Sequence, residues 1–240
     1  MGKQQDEVTI PPKDKTYNPQ EAVRIALERH HPNVIQACSF QAEAIVILDM
    51  SFKVRQDIKL FALDTGRLNE ETYEVAEQVR RRYGDIVQWM FPNREEVEKL
   101  EREKGLYSFR RSVENRKECC YIRKVEPMQR ALKGMTAWIA GLRRDQSVTR
   151  SNVQQFETDY AHGGIVKVNP LIEWTTEDVW NYIHEHDLPY NRLYKQGYHQ
   201  IGCACCTRAV LPGEHPRAGR WWWESAEHKE CGIHIGGSGI

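Results

Sequence analysis

The stretch NVIQACSFQAEAIVILDM at residues 33–50 decides the fold. Its first part, NVIQACSF, is a short apolar run typical of a buried strand, and its second part, QAEAIVILDM, has helical periodicity. A helical pattern precedes it in PQEAVRIALERHH, and the apolar run IKLFALDTG follows it and closes in a turn. Strand and helix patterns that alternate in this way predict an α/β fold.

The alternation continues along the chain. Helices are predicted in NEETYEVAEQVRRRYG, in REEVEKLEREKG, around Cys119 and in TTEDVWNYIHEHD, which begins with a threonine cap, and strands are predicted in IVQWMF, TAWIAGL and VKVNPL. We therefore expect a single domain with a doubly wound, mainly parallel sheet. Ligands of such sheets bind beyond the C-terminal strand ends, which here carry the loops SFQAE, LDTGRL and GLRRDQS.

Three regions are expected along the 240 residues. A polar N-terminal arm covers residues 1–17, the α/β domain covers 18–220, and a C-terminal segment covers 221–240. The end of that segment, GIHIGGSGI, is rich in glycine, which predicts a mobile tail.

Composition and charge exclude several classes of protein. Thirty-four basic residues balance thirty-four acidic ones, so no overall field would draw the chain to nucleic acid or to anionic lipid. No long apolar run predicts a membrane span, and the first residues lack the apolar core of a signal peptide, so we expect a cytoplasmic protein. Seven clustered cysteines favour metal binding or thiol chemistry over a disulfide framework.

Two cysteine pairs predict a metal centre. Cys119 and Cys120 are adjacent, and Cys203 and Cys206 have C-x-x-C spacing. Four thiolates can hold either a zinc ion or a 4Fe-4S cluster. Adjacent helical residues diverge, so a cluster with separate iron corners accepts them better than one tetrahedral ion does. The alternative is that these thiols are buried apolar residues.

The remaining cysteines carry weaker signals. Cys205 lies inside the second pair and Cys38 in the first strand, and neither is assigned a role. Cys231 lies apart from the others, with Lys229 and His234 nearby. Positive charge and access would favour a nucleophilic thiolate there, and the alternative is an incidental exposed thiol.

Several motifs together resemble the assimilatory adenosine 5′-phosphosulfate (APS) reductases, the cluster-containing branch of the phosphosulfate reductase family. These motifs are SFQAE, LDTGRL, CCYIRKVEPM, GLRRDQS, IGCACCTRAVLPGEHPRAGRWWWE and KECGIH. The resemblance implies an adenine-nucleotide alpha-hydrolase-like fold. It also implies reduction of APS to sulfite and AMP with electrons from thioredoxin, in sulfate assimilation toward cysteine.

The resemblance further implies a role for individual residues. Cys231 is the nucleophile that becomes an S-sulfocysteine, with His234 beside it. The residues implied to hold a 4Fe-4S cluster are Cys119, Cys120, Cys203 and Cys206. Those implied to contact the phosphosulfate are Lys124, Arg217 and Arg220, and those around the adenosine are Leu63, Thr65 and Gly141. Ser39 is implied to bind the substrate as well. The chain departs from the family pattern at Cys205, where a proline is usual.

The loop after the first strand bears on the type of nucleotide. Nucleotide-binding relatives of this fold carry a Ser-Gly-Gly-rich loop for ATP pyrophosphate, and here Phe40 and Gln41 follow Ser39 instead of the glycines. A loop without these glycines cannot approach a pyrophosphate as closely. This favours a nucleotide with one phosphate.

Other functions stay open from the sequence alone. The substrate could be 3′-phospho-APS (PAPS), alone or beside APS, although family members that use PAPS commonly lack the cluster cysteines. A different class is a metal-binding regulatory module whose cysteines are structural. Three tryptophans at residues 221–223 could stack on single-stranded nucleic acid, but the balanced charge favours an apolar cover or a subunit contact. A homo-oligomer is expected from the family.

Overall fold

A computed structural model of the protein describes residues 10–11, 15–146, 150 and 152–225. The α-helices are α1 (Pro19–His30), α2 (Ala42–Val54), α3 (Glu70–Tyr83), α4 (Arg94–Lys104), α5 (Val113–Cys120), α6 (Glu126–Leu132) and α7 (Thr176–Glu185). The strands are β1 (Val34–Ala37), β2 (Leu60–Leu63), β3 (Val87–Met90), β4 (Ala137–Ile139), β5 (Phe156–Asp159) and β6 (Ile165–Val168). Helices and strands alternate as the sequence predicts.

The strands form one sheet in the order β3-β2-β1-β4-β6-β5. All neighbouring strands pair in parallel except β5 and β6, which are antiparallel. The strand order reverses between β1 and β4, so the chain first builds one half of the sheet and then the other. This confirms the predicted doubly wound, mainly parallel sheet, and it places the ligand crevice at that reversal.

Both faces of the sheet are covered. Val34 of β1 packs with helices α1, α2, α3 and α7, whereas its neighbour Ile35 packs with α6 on the other face. The same alternation holds in β4, where Trp138 faces α6 while Ala137 and Ile139 face the larger cluster. Successive strand residues point to opposite faces, so strands covered on both faces need apolar residues at every position. This explains why their sequences are continuous apolar runs.

The helix starts follow from local sequence. The side chain of Asn18 accepts a hydrogen bond from the backbone N–H of Glu21 and caps α1, in which Pro19 is the first residue. Thr175 and Asp178 form a reciprocal capping box at the start of α7. The predicted threonine cap is therefore confirmed.

One strand was not predicted. The segment Phe156–Asp159 forms β5 and pairs with β6 across a turn that contains Gly163 and Gly164, both with positive φ. Two adjacent glycines mark the turn between these two strands. Among the described residues, no helix is long and apolar enough to cross a membrane.

Candidate active site

A cavity of about 710 Å³ lies at the C-terminal ends of the parallel strands. Four residues at these ends line it, as the fold predicts: Ser39, Leu63, Thr65 and Gly141. Gly141 follows β4, and a Cβ atom there would lie only 3.0 Å from the Cβ of Glu43. The absence of a side chain at Gly141 therefore lets β4 end close to the start of α2.

Cationic side chains meet in the same cavity. Lys124 reaches it from the helical segment after Cys120, while Arg217 and Arg220 reach it from the loop beyond the second cysteine pair. Arg217 and Arg220 are both buried. The structure thus brings Lys124 together with two arginines that lie far from it in the sequence.

Sequence reasoning missed a fourth cation at this cavity. Arg150 is buried, lines the cavity and donates a hydrogen bond to Gln146. Its position in GLRRDQSVTR, directly after β4, was a usable signal, because that loop was already expected at the ligand crevice. Nearby Arg143 also lines the cavity, but its guanidinium is paired with Glu43 and Asp145.

The four predicted cluster cysteines come together beside this cavity. Cys119 and Cys120 lie at the end of α5, while Cys203 precedes and Cys206 ends a short 3₁₀ turn at Ala204–Cys206. All four pack in one apolar cluster, which also includes Leu100, Phe109 and Trp221 and which we call the cysteine cluster. Cys119, Cys203 and Cys206 are buried, and Cys120 is partly exposed.

The helix that carries the first pair is irregular. Between α5 and α6 the chain continues as a π-helical turn at Tyr121–Val125, so helical structure is unbroken from Val113 to Leu132. Turns of this kind occur often at functional sites. The wide turn lets Cys120 face the cysteine cluster while Lys124 lines the cavity.

Buried arginines lie around the first cysteine pair, in a stretch that is rich in charged residues. Arg116 is 1% exposed and Arg123 is 6% exposed. Arg123 donates to Glu101 and to the carbonyl of Thr65, and Arg67 shares the same Glu101 carboxylate. Buried charges need partners, so guanidinium groups beside buried thiols fit a site that holds thiolates.

The titration of the cysteines reflects this environment. Burial raises the pKa of Cys119, although Arg67 and Arg123 act in the opposite direction. The hydroxyl of Thr65 lies 3.3 Å from Cys203 Sγ, within hydrogen-bonding distance of sulfur. Without a metal, burial therefore keeps the Cys119 thiol protonated, and a bound cation would favour its thiolate.

The two unassigned cysteines have contrasting surroundings. Cys205 is partly exposed, and a hydrogen bond from Cys206 together with the nearby charge of Arg67 lowers its pKa to about 6. Cys38 is buried at the cavity wall, and burial raises its pKa to about 12. Cys38 is thus a core thiol, as its place in the strand predicted.

Two predicted residues, Cys231 and His234, lie outside the described residues, as does the predicted mobile tail. Nearer in the chain, Trp221 belongs to the cysteine cluster, and Glu224 forms a buried ion pair with Arg116 at 2.9 Å. The start of the predicted C-terminal segment therefore packs against the elements that carry the cysteines.

The sequence is similar to known proteins over most of its length. Residues 33–209 match the phosphoadenosine phosphosulfate reductase domain. An adenosine 5′-phosphosulfate reductase of Pseudomonas aeruginosa is 47% identical over 91% of this chain and 83% of its own length. That of Burkholderia cepacia is 46% identical over 90% of this chain and 86% of its own.

Solved structures agree with these sequence matches. The crystal structure of a phosphoadenylyl-sulfate (PAPS) reductase from Candida auris has a TM-score of 0.68 and 31% identity, covering 81% of this chain and 91% of that one. An FMN adenylyltransferase from Candida glabrata, at 12% identity and a TM-score of 0.56 over 85% of this chain and 70% of that one, shares the fold alone. The chain therefore belongs to the phosphoadenosine phosphosulfate reductase family, and its resemblance to the APS reductases of that family is confirmed.

Proposed function

We propose that this chain reduces adenosine 5′-phosphosulfate to sulfite and AMP in sulfate assimilation. The observation that carries the proposal is one cavity in which strand-end loops and buried cations meet beside four clustered cysteines. The relatives named adenosine 5′-phosphosulfate reductase, at 46–47% identity, support the same substrate.

The cavity suits a nucleotide that carries a phosphosulfate. The adenosine would lie at the strand ends, against Ser39, Leu63, Thr65 and Gly141. The phosphosulfate would lie against Lys124, Arg217 and Arg220, and we add Arg150 to this group because it lines the same cavity. Phosphate and sulfate are both anionic, and AMP gains charge as it leaves. Fixed cations therefore stabilise the departing group as well as the bound substrate.

The chemical step would be covalent. The Cys231 thiolate attacks the sulfur of the sulfate group, the bond between that sulfur and the bridging phosphate oxygen breaks, and AMP leaves with the electron pair. This leaves Cys231 as an S-sulfocysteine, with His234 beside it. A thiolate of reduced thioredoxin then attacks Cys231 Sγ, sulfite leaves with the electron pair, and the second thioredoxin thiol resolves the mixed disulfide. Thioredoxin is thereby oxidised, and Cys231 returns to a free thiol.

We propose that Cys119, Cys120, Cys203 and Cys206 hold a 4Fe-4S cluster. Their grouping in one buried site with arginine partners fits a four-thiolate donor set. When bound, the cluster would supply a fixed charge and a cross-link between the two cysteine pairs. Adjacent helical residues diverge, so the separate iron corners of a cluster suit Cys119 and Cys120 better than one tetrahedral zinc ion does.

Other parts of the proposal concern the chain's surroundings. Thioredoxin would be a transient partner, the chain would act in the cytoplasm, and it would form a homo-oligomer. Residues 1–17 would form an arm and residues 221–240 a C-terminal segment that brings Cys231 to the substrate and then to thioredoxin. The packing of Trp221 and Glu224 anchors the start of that segment.

Mass spectrometry tests the proposal directly. The protein is mixed anaerobically with APS without reductant, and the peptide that holds Cys231 is examined for one added sulfonate. We expect the adduct to form in the wild type and in a matched Cys205→Ser variant, and to be absent in Cys231→Ser. Reduced thioredoxin should remove it with release of sulfite. A Cys231→Ser variant that still produces sulfite would contradict the mechanism.

PAPS is the second candidate substrate. The domain that matches residues 33–209 is named for PAPS, and so is the Candida auris structure. Initial rates of sulfite release with APS and PAPS at equal concentration separate the two. We expect the rate with APS to be higher, and equal rates would indicate a reductase that accepts both.

A further inference from the structure

We infer that Gly202 is a positioning residue that gives the guanidinium of Arg220 its place in the cavity. A Cβ atom on Gly202 would lie 1.4 Å from Nη1, 2.5 Å from Cζ and 2.9 Å from Nη2 of Arg220. Non-bonded carbon and nitrogen atoms approach to about 3.5 Å. The guanidinium therefore occupies the space that any side chain at position 202 would fill. The inference rests on the proposed function, in which Arg220 contacts the phosphosulfate.

Other contacts hold Arg220 in the same place. Its Nη1 donates a hydrogen bond of 2.8 Å to the hydroxyl of Thr207, and its backbone pairs with that of Thr207 in an isolated bridge. Its guanidinium lies 4.5 Å from the ring centroid of Trp221. The side chain of Arg220 is 8% exposed, so these contacts largely enclose it.

All of these contacts come from the elements that carry the cysteines. Gly202 precedes Cys203, and Thr207 follows Cys206. Trp221 packs in the cysteine cluster. The guanidinium of Arg116, which belongs to the helix of the first cysteine pair, lies 4.5 Å from the centroid of the Trp221 ring. The conformation of the cysteine site thus determines where a cation of the substrate cavity lies. This gives the cysteine site a structural role in substrate binding that does not require it to transfer electrons.

A change at Gly202 should displace Arg220 without preventing folding. The backbone of Gly202 is not in the left-handed region, so alanine can adopt it without strain. The conflict is with the end of a flexible side chain, and displacing the guanidinium is the least costly response. We therefore expect Gly202→Ala to fold and keep its cysteine site while it moves Arg220 out of place.

Substrate binding tests the inference. Four full-length proteins are compared in the Cys231→Ser background, which prevents consumption of APS: the parent, Arg220→Ala, Gly202→Ala and the double variant. The dissociation constant for APS is measured by calorimetry, with iron content and visible absorption as separate readouts. We expect each single change to weaken binding about 10- to 100-fold, the range for a lost charged hydrogen bond. The double variant should bind no more weakly than Arg220→Ala alone, with iron unchanged.

Two further variants complete the design. Leu211→Ala is the control in the same loop, because Leu211 is 61% exposed and does not line the cavity, and it should bind APS like the parent. Thr207→Val removes the hydroxyl that accepts from Arg220 and should also weaken binding, which provides a second test if Gly202→Ala folds poorly.

The outcomes distinguish this inference from the proposed function. Parental binding in both Gly202→Ala and Thr207→Val, with weakened binding in Arg220→Ala, would overturn the positioning role and leave Arg220 as a substrate contact. A double variant whose loss of APS affinity equals the product of the two single losses would also overturn it, because the two residues would then act independently. Parental binding in Arg220→Ala would instead refute the contact between Arg220 and substrate, and this inference would fall with it.

Discussion

Removal of the Glu224 carboxylate should destabilise the protein more than any loss of a surface charge. Glu224 accepts two hydrogen bonds of 2.9 Å from Arg116, and the two side chains are 4% and 1% exposed. Breaking a buried pair by removing one partner costs about 3–5 kcal/mol, because the remaining charge stays buried. Arg116 also interacts with Cys120, so part of its positive charge would stay compensated after the Glu224 carboxylate is removed. We therefore expect Glu224→Ala to lower the free energy of unfolding by about 3 kcal/mol.

Equilibrium unfolding in urea and a thermal scan measure this effect at matched iron content. For a chain of this length, about 3 kcal/mol corresponds to a fall in Tm of about 6–12 °C. Glu98→Ala is the matched control, because Glu98 pairs with Arg94 where the side chains are 53% and 87% exposed. Such a pair contributes less than about 1 kcal/mol. If Glu224→Ala lowers the free energy of unfolding by less than about 1 kcal/mol, water reaches Arg116 and the pair does not act as a buried ion pair.

Three further predictions concern other sites. Burial alone would raise the pKa of Asp159, but hydrogen bonds from His162 and Trp138 outweigh it and hold the pKa below its usual value. The stability that ionised Asp159 contributes is therefore present above pH 4 and lost as the pH falls through the lowered pKa. Urea unfolding of Asp159→Asn should show a deficit of about 2 kcal/mol at pH 7 that shrinks as the pH falls below 4. Lys124→Ala should lower kcat/KM for APS about 10- to 100-fold without loss of iron, as measured by sulfite release, and an unchanged value would remove Lys124 from the site. Cys38, with a pKa raised to about 12, should resist iodoacetamide at pH 8 in the folded protein and react only in denaturant, which peptide mapping would show.

The fold was largely predictable because its signals are local. Apolar runs alternate with amphipathic segments, and the strands covered on both faces are apolar at successive positions. The strand at Phe156–Asp159 was missed because FETD contains two acidic residues, and both are buried through specific partners. Asp159 accepts from the Trp138 indole, and Glu157 pairs with Lys167. A sequence does not show such pairings, so buried charges look like surface ones.

The candidate site was predictable to the extent that its residues belong to motifs. The cysteine pairs and the strand-end residues meet where the motifs and the fold place them. Arg116 and Arg123 were not found, because their burial depends on Glu224 and Glu101, which are distant in the sequence. The close approach of Arg220 to Gly202 is likewise a tertiary contact with no local signature.

The wide turn at Tyr121–Val125 has a consequence for chain length. An α-helix advances about 100° per residue, so deleting one residue there would rotate the helix beyond it by about that angle. Met128 and Leu132, which pack against one face of the sheet, would turn away from the core. The cysteines before the turn would stay in the cysteine cluster. Substitutions at exposed Tyr121 should be tolerated where a deletion is not. In variant libraries, the exposed positions between Val113 and Leu132 should therefore accept changes of residue type, whereas the number of residues in the stretch should stay fixed.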